Sequence, residues 1–186
     1  MHTGSGRLNG CNARRALDYD AALRSLAKLV IPFLADGCEV DVVDGGGALR
    51  RVASAHVDPA KLALADEILR RYPYDPQAPV GPPSVIRTGR SELWPEVPDE
   101  AIDVFAADAE EAALIRRLGF RSIIVTPLIA RGRTFGAISL MSCESGRRYG
   151  VEDVALAEDL ARRAALAVDN ARLFTEAQEA VRVREE

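Results

Sequence analysis

Two histidines and three cysteines are the side chains that could carry reactive chemistry in this chain of 186 residues. His56 is the one histidine inside a patterned region, and its imidazole could contact a ligand or hold a haem iron. One histidine without a shaped apolar cage is thin support for haem, and the simpler role is a hydrogen bond tying a strand end to the Asp58-Pro59 turn. Cys11, Cys38 and Cys143 are odd in number and far apart, so neither a disulfide framework nor a zinc site follows. Reduced thiols in a cytoplasmic protein are the expectation. Arg87 and Arg121 offer guanidinium groups that could pair a carboxylate or phosphate, and Trp94 offers a broad face that could cover a ligand. No nucleophile, base and orienting partner can be assembled from this set, so no catalysis is expected of the chain.

Composition narrows the classes further. Hydrophobic residues make up 48% and charged residues 28%, which suits one globular domain rather than a disordered tail. No uncharged apolar run reaches ~18 residues, so no membrane span or membrane partner is expected. Acidic and basic residues are interspersed with a net charge of -4, so the basic footprint of a nucleic-acid binder is missing.

The elements that must position these side chains read as follows. Residues 1–16 are small, polar and Gly-rich, and are set apart as a flexible tail. Residues 18–35 are expected to form an amphipathic helix, with Tyr19, Leu23, Leu26, Val30 and Phe33 on one stripe, Ala22 and Leu29 widening it, and Asp18 or Asp20 as its cap. A β-hairpin follows over 38–57 around Asp44-Gly45-Gly46-Gly47, where Val40 and Val42 alternate with Glu39 and Asp41, predicting one buried and one wetter face. Residues 60–71 are a strong helix. Five prolines between 73 and 83 then predict a stiff loop. Val85-Ile86-Arg87-Thr88-Gly89 is expected as a short strand, residues 94–100 as a Pro-broken turn, and 99–118 as one or two helices. Two almost continuously apolar runs over 121–143 flank Arg131-Gly132-Arg133 and predict strands covered on both faces. A long Ala-rich helix over 151–184 closes the chain. Two hairpins imply an antiparallel sheet, and helices must cover both faces, giving an α+β fold. The expected core is Leu26, Val30, Val40, Val42, Leu62, Ile68, Ile124, Leu128, Ile138, Leu140 and Leu160.

The second half resembles the GAF domain family of small-molecule sensor modules. The resemblance is carried by Ser122, Val125-Thr126-Pro127-Leu128, Arg131-Gly132, Gly136-Ala137-Ile138-Ser139-Leu140, Tyr149, Glu152-Asp153, Leu156, Leu160 and Asp169-Asn170-Ala171-Arg172-Leu173-Phe174. It covers roughly residues 17–175 and leaves 176–186 as the start of a C-terminal signalling helix. The resemblance implies a sheet of five or six antiparallel strands ordered 2-1-5-4-3, with the terminal helices packed together on one face. It also implies a ligand pocket on the other face, with Arg87, Trp94 and Arg121 near its rim and His56 as a further ligand contact. The segments over 55–60 and 86–89, and the ending over 179–186, are similar to those of bacterial sensor histidine kinases.

The expected function is therefore a non-catalytic cytoplasmic sensory module. It takes an unidentified small molecule and regulates a downstream kinase or other output domain of a two-component system. Two alternatives stay open: a structural spacer whose pocket is filled by side chains, and a methionine sulfoxide reductase-like enzyme of the kind some family members are, working through clustered cysteines. Some members bind a tetrapyrrole through a cysteine beside a histidine, but no Cys-His pair exists here, so no cofactor is expected. Leu23, Leu160, Ala164, Ala167, Ala171, Phe174 and Val181 are expected at a homodimer seam, the helical residues following alternating steps of three and four.

Overall fold

A computed structural model describes residues 20–184, together with the side chains of 20–171 and 173. The tail over 1–16, with His2 and Cys11, lies outside the described residues, as do Asp18, Tyr19 and the side chains of Phe174, Gln178 and Val181. Helix α1 covers residues 20–30. It stops before the cis Ile31–Pro32 peptide. Phe33, beyond the helix end, and Leu29, on its outer face, do not join the buried stripe and stand 80% and 73% exposed. Strands β1 (Gly37–Val43) and β2 (Leu49–His56) form the first hairpin. Its turn is held by Asp44, whose Oδ1 accepts the amides of Gly46 at 2.8 Å and Ala48 at 3.0 Å.

Helix α2 (Pro59–Arg71) starts on an Asp58 cap that accepts the Ala60 amide at 2.8 Å. Residues 85–89 are not a strand. Pro82 and Pro83 occupy the first turn, where no donor is needed, and Gly89 closes the end at φ 66°, so helix α3 spans Pro82–Thr88. A strand not expected from the sequence, β3 (Glu92–Trp94), precedes the Pro-broken turn, three residues long and ended by Pro95. Helices α4 (Asp99–Phe105) and α5 (Ala109–Leu118) follow; Asp108 caps α5 through the Glu111 amide, and Glu111 accepts the Ala107 amide in return. Strands β4 (Ser122–Ala130) and β5 (Arg133–Ser142) turn on Arg131 and Gly132, both at positive φ, and helix α6 runs over Val151–Arg184.

The sheet is five-stranded and antiparallel throughout, in the order β2-β1-β5-β4-β3. One face carries Cys38, Val40, Ala53, Ala55, Ile124, Leu128, Ile138 and Leu140. It is covered by Leu23, Ala27 and Val30 of α1 and by Ala157, Ala161 and Ala165 of α6. On the other face α3 seats Val85 against Val125 and Ala137. Every expected core residue is buried or partly buried. Gly136 is required where β5 crosses β1, because a Cβ there would sit 2.5 Å from the Asp41 carbonyl oxygen.

Candidate functional site

The expected wetter face of β1 is not wet. Asp41 is fully buried and the Glu39 side chain only 13% exposed, because Arg51 and Tyr74 close over them. Asp41 and Arg51 are register partners, so the acid and the guanidinium project from adjacent strands to the same face. Arg51 reaches Glu39 Oε2 at 2.7 Å through Nη2 and Asp41 Oδ1 at 3.2 Å through Nε. Its Nη2 also donates to the Tyr74 hydroxyl, which in turn donates to Asp41 Oδ2 at 3.1 Å. Two carboxylates thus share one guanidinium. Burial pushes the Glu39 carboxyl up to about 7, against the pull of Arg51 and with the help of Asp41. Burial likewise raises Asp41, and raises the Tyr74 hydroxyl well above its ordinary value. With Val85 and Ile86 of α3 packed alongside, side chains line the face where the resemblance placed a pocket.

The four residues expected at that pocket are not gathered. His56, Gly37, Met141, Ile123 and Trp94 are successive register partners across the whole sheet. Four strand spacings put His56 and Trp94 about 19 Å apart on opposite edges. Trp94 stands edge-on to Phe105 with ring centroids 5.2 Å apart, tying α4 to β3. Arg87 donates to the carbonyls of Pro76 at 2.8 Å and Ala78 at 3.0 Å, clamping the Pro-rich loop to α3. Arg121 is exposed; its backbone bridges the Ser142 carbonyl and the Val97 amide.

His56 accepts the Asp58 amide on Nδ1 at 2.9 Å, the turn-tying bond foreseen from sequence. Its proton therefore sits on Nε2 when neutral, and this buried atom finds no hydrogen-bond acceptor among the described residues. His56, Cys143 and Glu144 bring ligand atoms within 4.8 Å of one another. The chemistry of the three does not suit a metal. Nε2 holds the proton where a lone pair is needed, Lys61 already pairs the Glu144 carboxylate, and burial pushes the Cys143 thiol up to about 12. Cys38 is likewise pushed to about 12, by burial and then by Glu39 and Asp41.

Sequence reasoning missed Asp36. Its Oδ2 accepts the Cys143 amide at 2.6 Å, the Ser145 amide at 2.9 Å and the Ser145 hydroxyl at 2.7 Å, tying the end of β5 to the start of β1. Burial opposes the charge, but these three bonds outweigh it and hold the carboxyl below its ordinary value. Several residues behind the family resemblance prove to be similar ties. Ser122 Oγ donates to the Trp94 carbonyl at 2.8 Å and accepts the Tyr149 amide at 3.0 Å. Arg131 pairs Asp169 at 2.6 Å, fixing α6 to the β4–β5 turn.

At the open edge of β2, residues of α1, β2 and α2 line a solvent-open groove of about 350 Å3: Arg24, then Arg51, Val52, Ala53 and Ser54, then Asp66, Leu69 and Arg70. Along the terminal helices, Leu23 is 2% exposed and packs within its own chain. Of the residues expected at a seam, Leu160 and Ala164 are partly buried against the core, and Ala167 and Ala171 are exposed. Among the described residues no helix is long and apolar enough to cross a membrane.

The model of the GAF domain family matches residues 12–168. No curated protein sequence matches the chain. Among solved structures, a GAF domain/HD domain protein from Geobacter sulfurreducens is 18% identical, with a TM-score of 0.63 over 85% of this chain and 96% of that one. The second GAF domain of DevS from Mycobacterium smegmatis is 17% identical, with a TM-score of 0.61 over 86% and 98%. A domain assigned to a two-component sensor histidine kinase of Sinorhizobium meliloti 1021 is 17% identical, with a TM-score of 0.55 over 85% and 92%. The strand order, the covering helices and a family match over most of the chain agree, and the chain belongs to the GAF domain family.

Proposed function

We propose that this GAF domain is a non-catalytic sensory and dimerisation module of a cytoplasmic signalling protein. In this reading the domain spans 17–175 and its terminal helices pass a ligand-biased change in packing to a downstream output domain, a histidine kinase being the leading class. The observation that carries the reading is the apolar surface left on the terminal elements. Leu156 and Leu166 of α6 are 48% and 50% exposed, and Leu29 and Phe33 at the end of α1 are more exposed still. A helix of 34 residues is about 50 Å long at ~1.5 Å per residue, longer than a strand of nine residues can cover. A second subunit would bury that surplus. The likeness to a sensor kinase domain of Sinorhizobium meliloti is consistent with such an output. Buried thiols with strongly raised pKa values support the non-catalytic part of the reading, since the thiolate is the reactive form.

Light scattering from micromolar to hundreds of micromolar protein tests the dimer. The expected result is a dimer that Leu166→Glu converts to monomer; a monomer throughout, unchanged by that substitution, refutes it. The buried Arg51–Glu39–Asp41–Tyr74 cluster favours a second reading, a dimerising spacer with a filled pocket. A compound that raises the melting temperature in proportion to its concentration decides for the sensor.

A further inference from the structure

Most charges around the β2 edge pair off, and Arg24, Arg70 and Asp66 do not. Asp20 of α1 holds Arg50 at 3.0 Å, Glu39 and Asp41 hold Arg51, and Glu67 and Glu110 hold Arg71. Arg24, one turn beyond Asp20, has no carboxylate within ion-pair distance among the described residues. Arg70, in the last turn of α2, has none either. Both arginines line the groove. Asp66 is the one carboxylate in the lining and lies a turn before Arg70 without pairing to it. The apolar part of the lining is Leu69, Val52 and Ala53, and Ser54 and the paired Arg51 complete it. The groove is open to solvent and its volume of about 350 Å3 gives room for a ring-sized compound lying against the surface.

We propose that this groove binds a small organic anion, its carboxylate or phosphate held between Arg24 and Arg70 and its apolar body lying on Leu69 and Val52. Guanidinium forks match the paired oxygens of both groups, which is why two unpartnered arginines in one partly apolar lining select an anion over a neutral ring. The proposal rests on the sensory reading and deepens it, since Arg24 belongs to terminal helix α1 and the ligand would bridge α1 to α2. It also puts the ligand at the β2 edge, beside Arg51, rather than on the sheet face that Glu39, Asp41 and Tyr74 fill.

The test is a thermal-shift and calorimetric titration of the full chain with phenyl phosphate, benzoate and phenol, each up to about 10 mM at low ionic strength. Phenyl phosphate or benzoate is expected to raise the melting temperature progressively and phenol to leave it unchanged; which anion acts more strongly assigns the headgroup. Arg24→Gln and Arg70→Gln are each expected to weaken binding at least roughly tenfold, with Arg24→Lys keeping part of it. Both arginines are exposed, and unliganded melting temperatures equal to that of the parent show that the variants fold. No response to either anion overturns the proposal. So does an undiminished response in the double Arg24→Gln/Arg70→Gln variant, an equal response to phenol, or binding of an acidic peptide alone. Light scattering with and without phenyl phosphate separates the two readings. Binding that leaves the association state and helix protection unmoved keeps the groove and removes the sensory role. Stabilisation by some other compound with no anion response keeps the sensory role and removes the groove.

Discussion

Glu39→Gln should stabilise this domain at alkaline pH, and the size of the effect follows from the buried cluster. Glu39 and Asp41 share the guanidinium of Arg51, so one carboxylate in excess is held out of water. The Glu39 carboxyl is pushed from an ordinary 4.5 up to about 7. A carboxyl with a raised pKa binds its proton more tightly folded than unfolded. Its contribution is therefore fully present below pH 4.5 and is lost as pH rises through about 7. At 1.36 kcal/mol per unit, that interval amounts to about 3 kcal/mol of stability between weak acid and pH 8. The substituted amide keeps the shape and one acceptor oxygen for Arg51 while removing the charge. Urea unfolding at steps from pH 5 to pH 9 should show the parent protein losing roughly 2–3 kcal/mol across that range. Glu39→Gln should flatten the slope and exceed the parent at pH 8 and above. Asp41, likewise raised by burial, adds to the parent slope in the same sense and keeps part of it in Glu39→Gln; Asp36 does not, because its carboxyl is held below the ordinary value and its contribution is lost only as pH falls into strong acid. Parent stability that stays level or rises from pH 5 to pH 8, or a Glu39→Gln variant weaker at every pH, would refute the shared-guanidinium account.

Two further outcomes follow from buried groups. Asp36→Ala strands the Cys143 amide, the Ser145 amide and the Ser145 hydroxyl, and should cost about 3–5 kcal/mol in denaturant unfolding. Asp36→Asn, which retains an acceptor, should cost clearly less; equal losses would mean that packing rather than hydrogen bonding fixes this corner. Cys38 and Cys143 should resist iodoacetamide at pH 8 in the folded state and react in urea, as mass spectrometry of the labelled peptides can follow. Rapid labelling of either in the native protein would restore a thiol-based activity to consideration.

The large elements were legible because their signals are local and repeated. Continuous apolar runs around Arg131-Gly132 announced β4 and β5 as doubly covered strands, and Asp58-Pro59 announced the start of α2. The errors fall where a short segment is decided by neighbours distant in sequence. Val85-Ile86 suits either a strand or a helix, and the paired prolines before it and Gly89 after it settle the helix. Glu92–Trp94 is a strand only because Ile123–Val125 offers an unpaired edge. The same holds for the site. Alternation placed Glu39 and Asp41 on one face correctly, but their burial depends on Tyr74, 33 residues beyond Asp41. His56 and Trp94 looked equivalent as candidate contacts until the register set them on opposite edges.

The ties between sheet and terminal helices show where a bound molecule could act on the ends of the chain. Asp20 fastens α1 to β2 through Arg50, and Arg131 fastens α6 to the β4–β5 turn through Asp169. Between them the central strands pack side chains on both faces, and Gly136 lets β1 and β5 approach without side-chain volume. A change at the sheet face would have to break the Arg51 cluster, leaving charge buried without a partner, which typically costs about 3–5 kcal/mol. A change at the β2 edge leaves that cluster in place: Arg24 and Arg70 have no ion pairs to lose, and the tie it works against is the partly exposed Asp20–Arg50 pair. Energy available from a weakly held small ligand is of the order of 4–6 kcal/mol in total. Only a fraction of that is differential between two packings of a helix. A ligand of this size can reposition α1 against α2 from the edge, where the opposing terms are small, far more readily than it can repack the buried face.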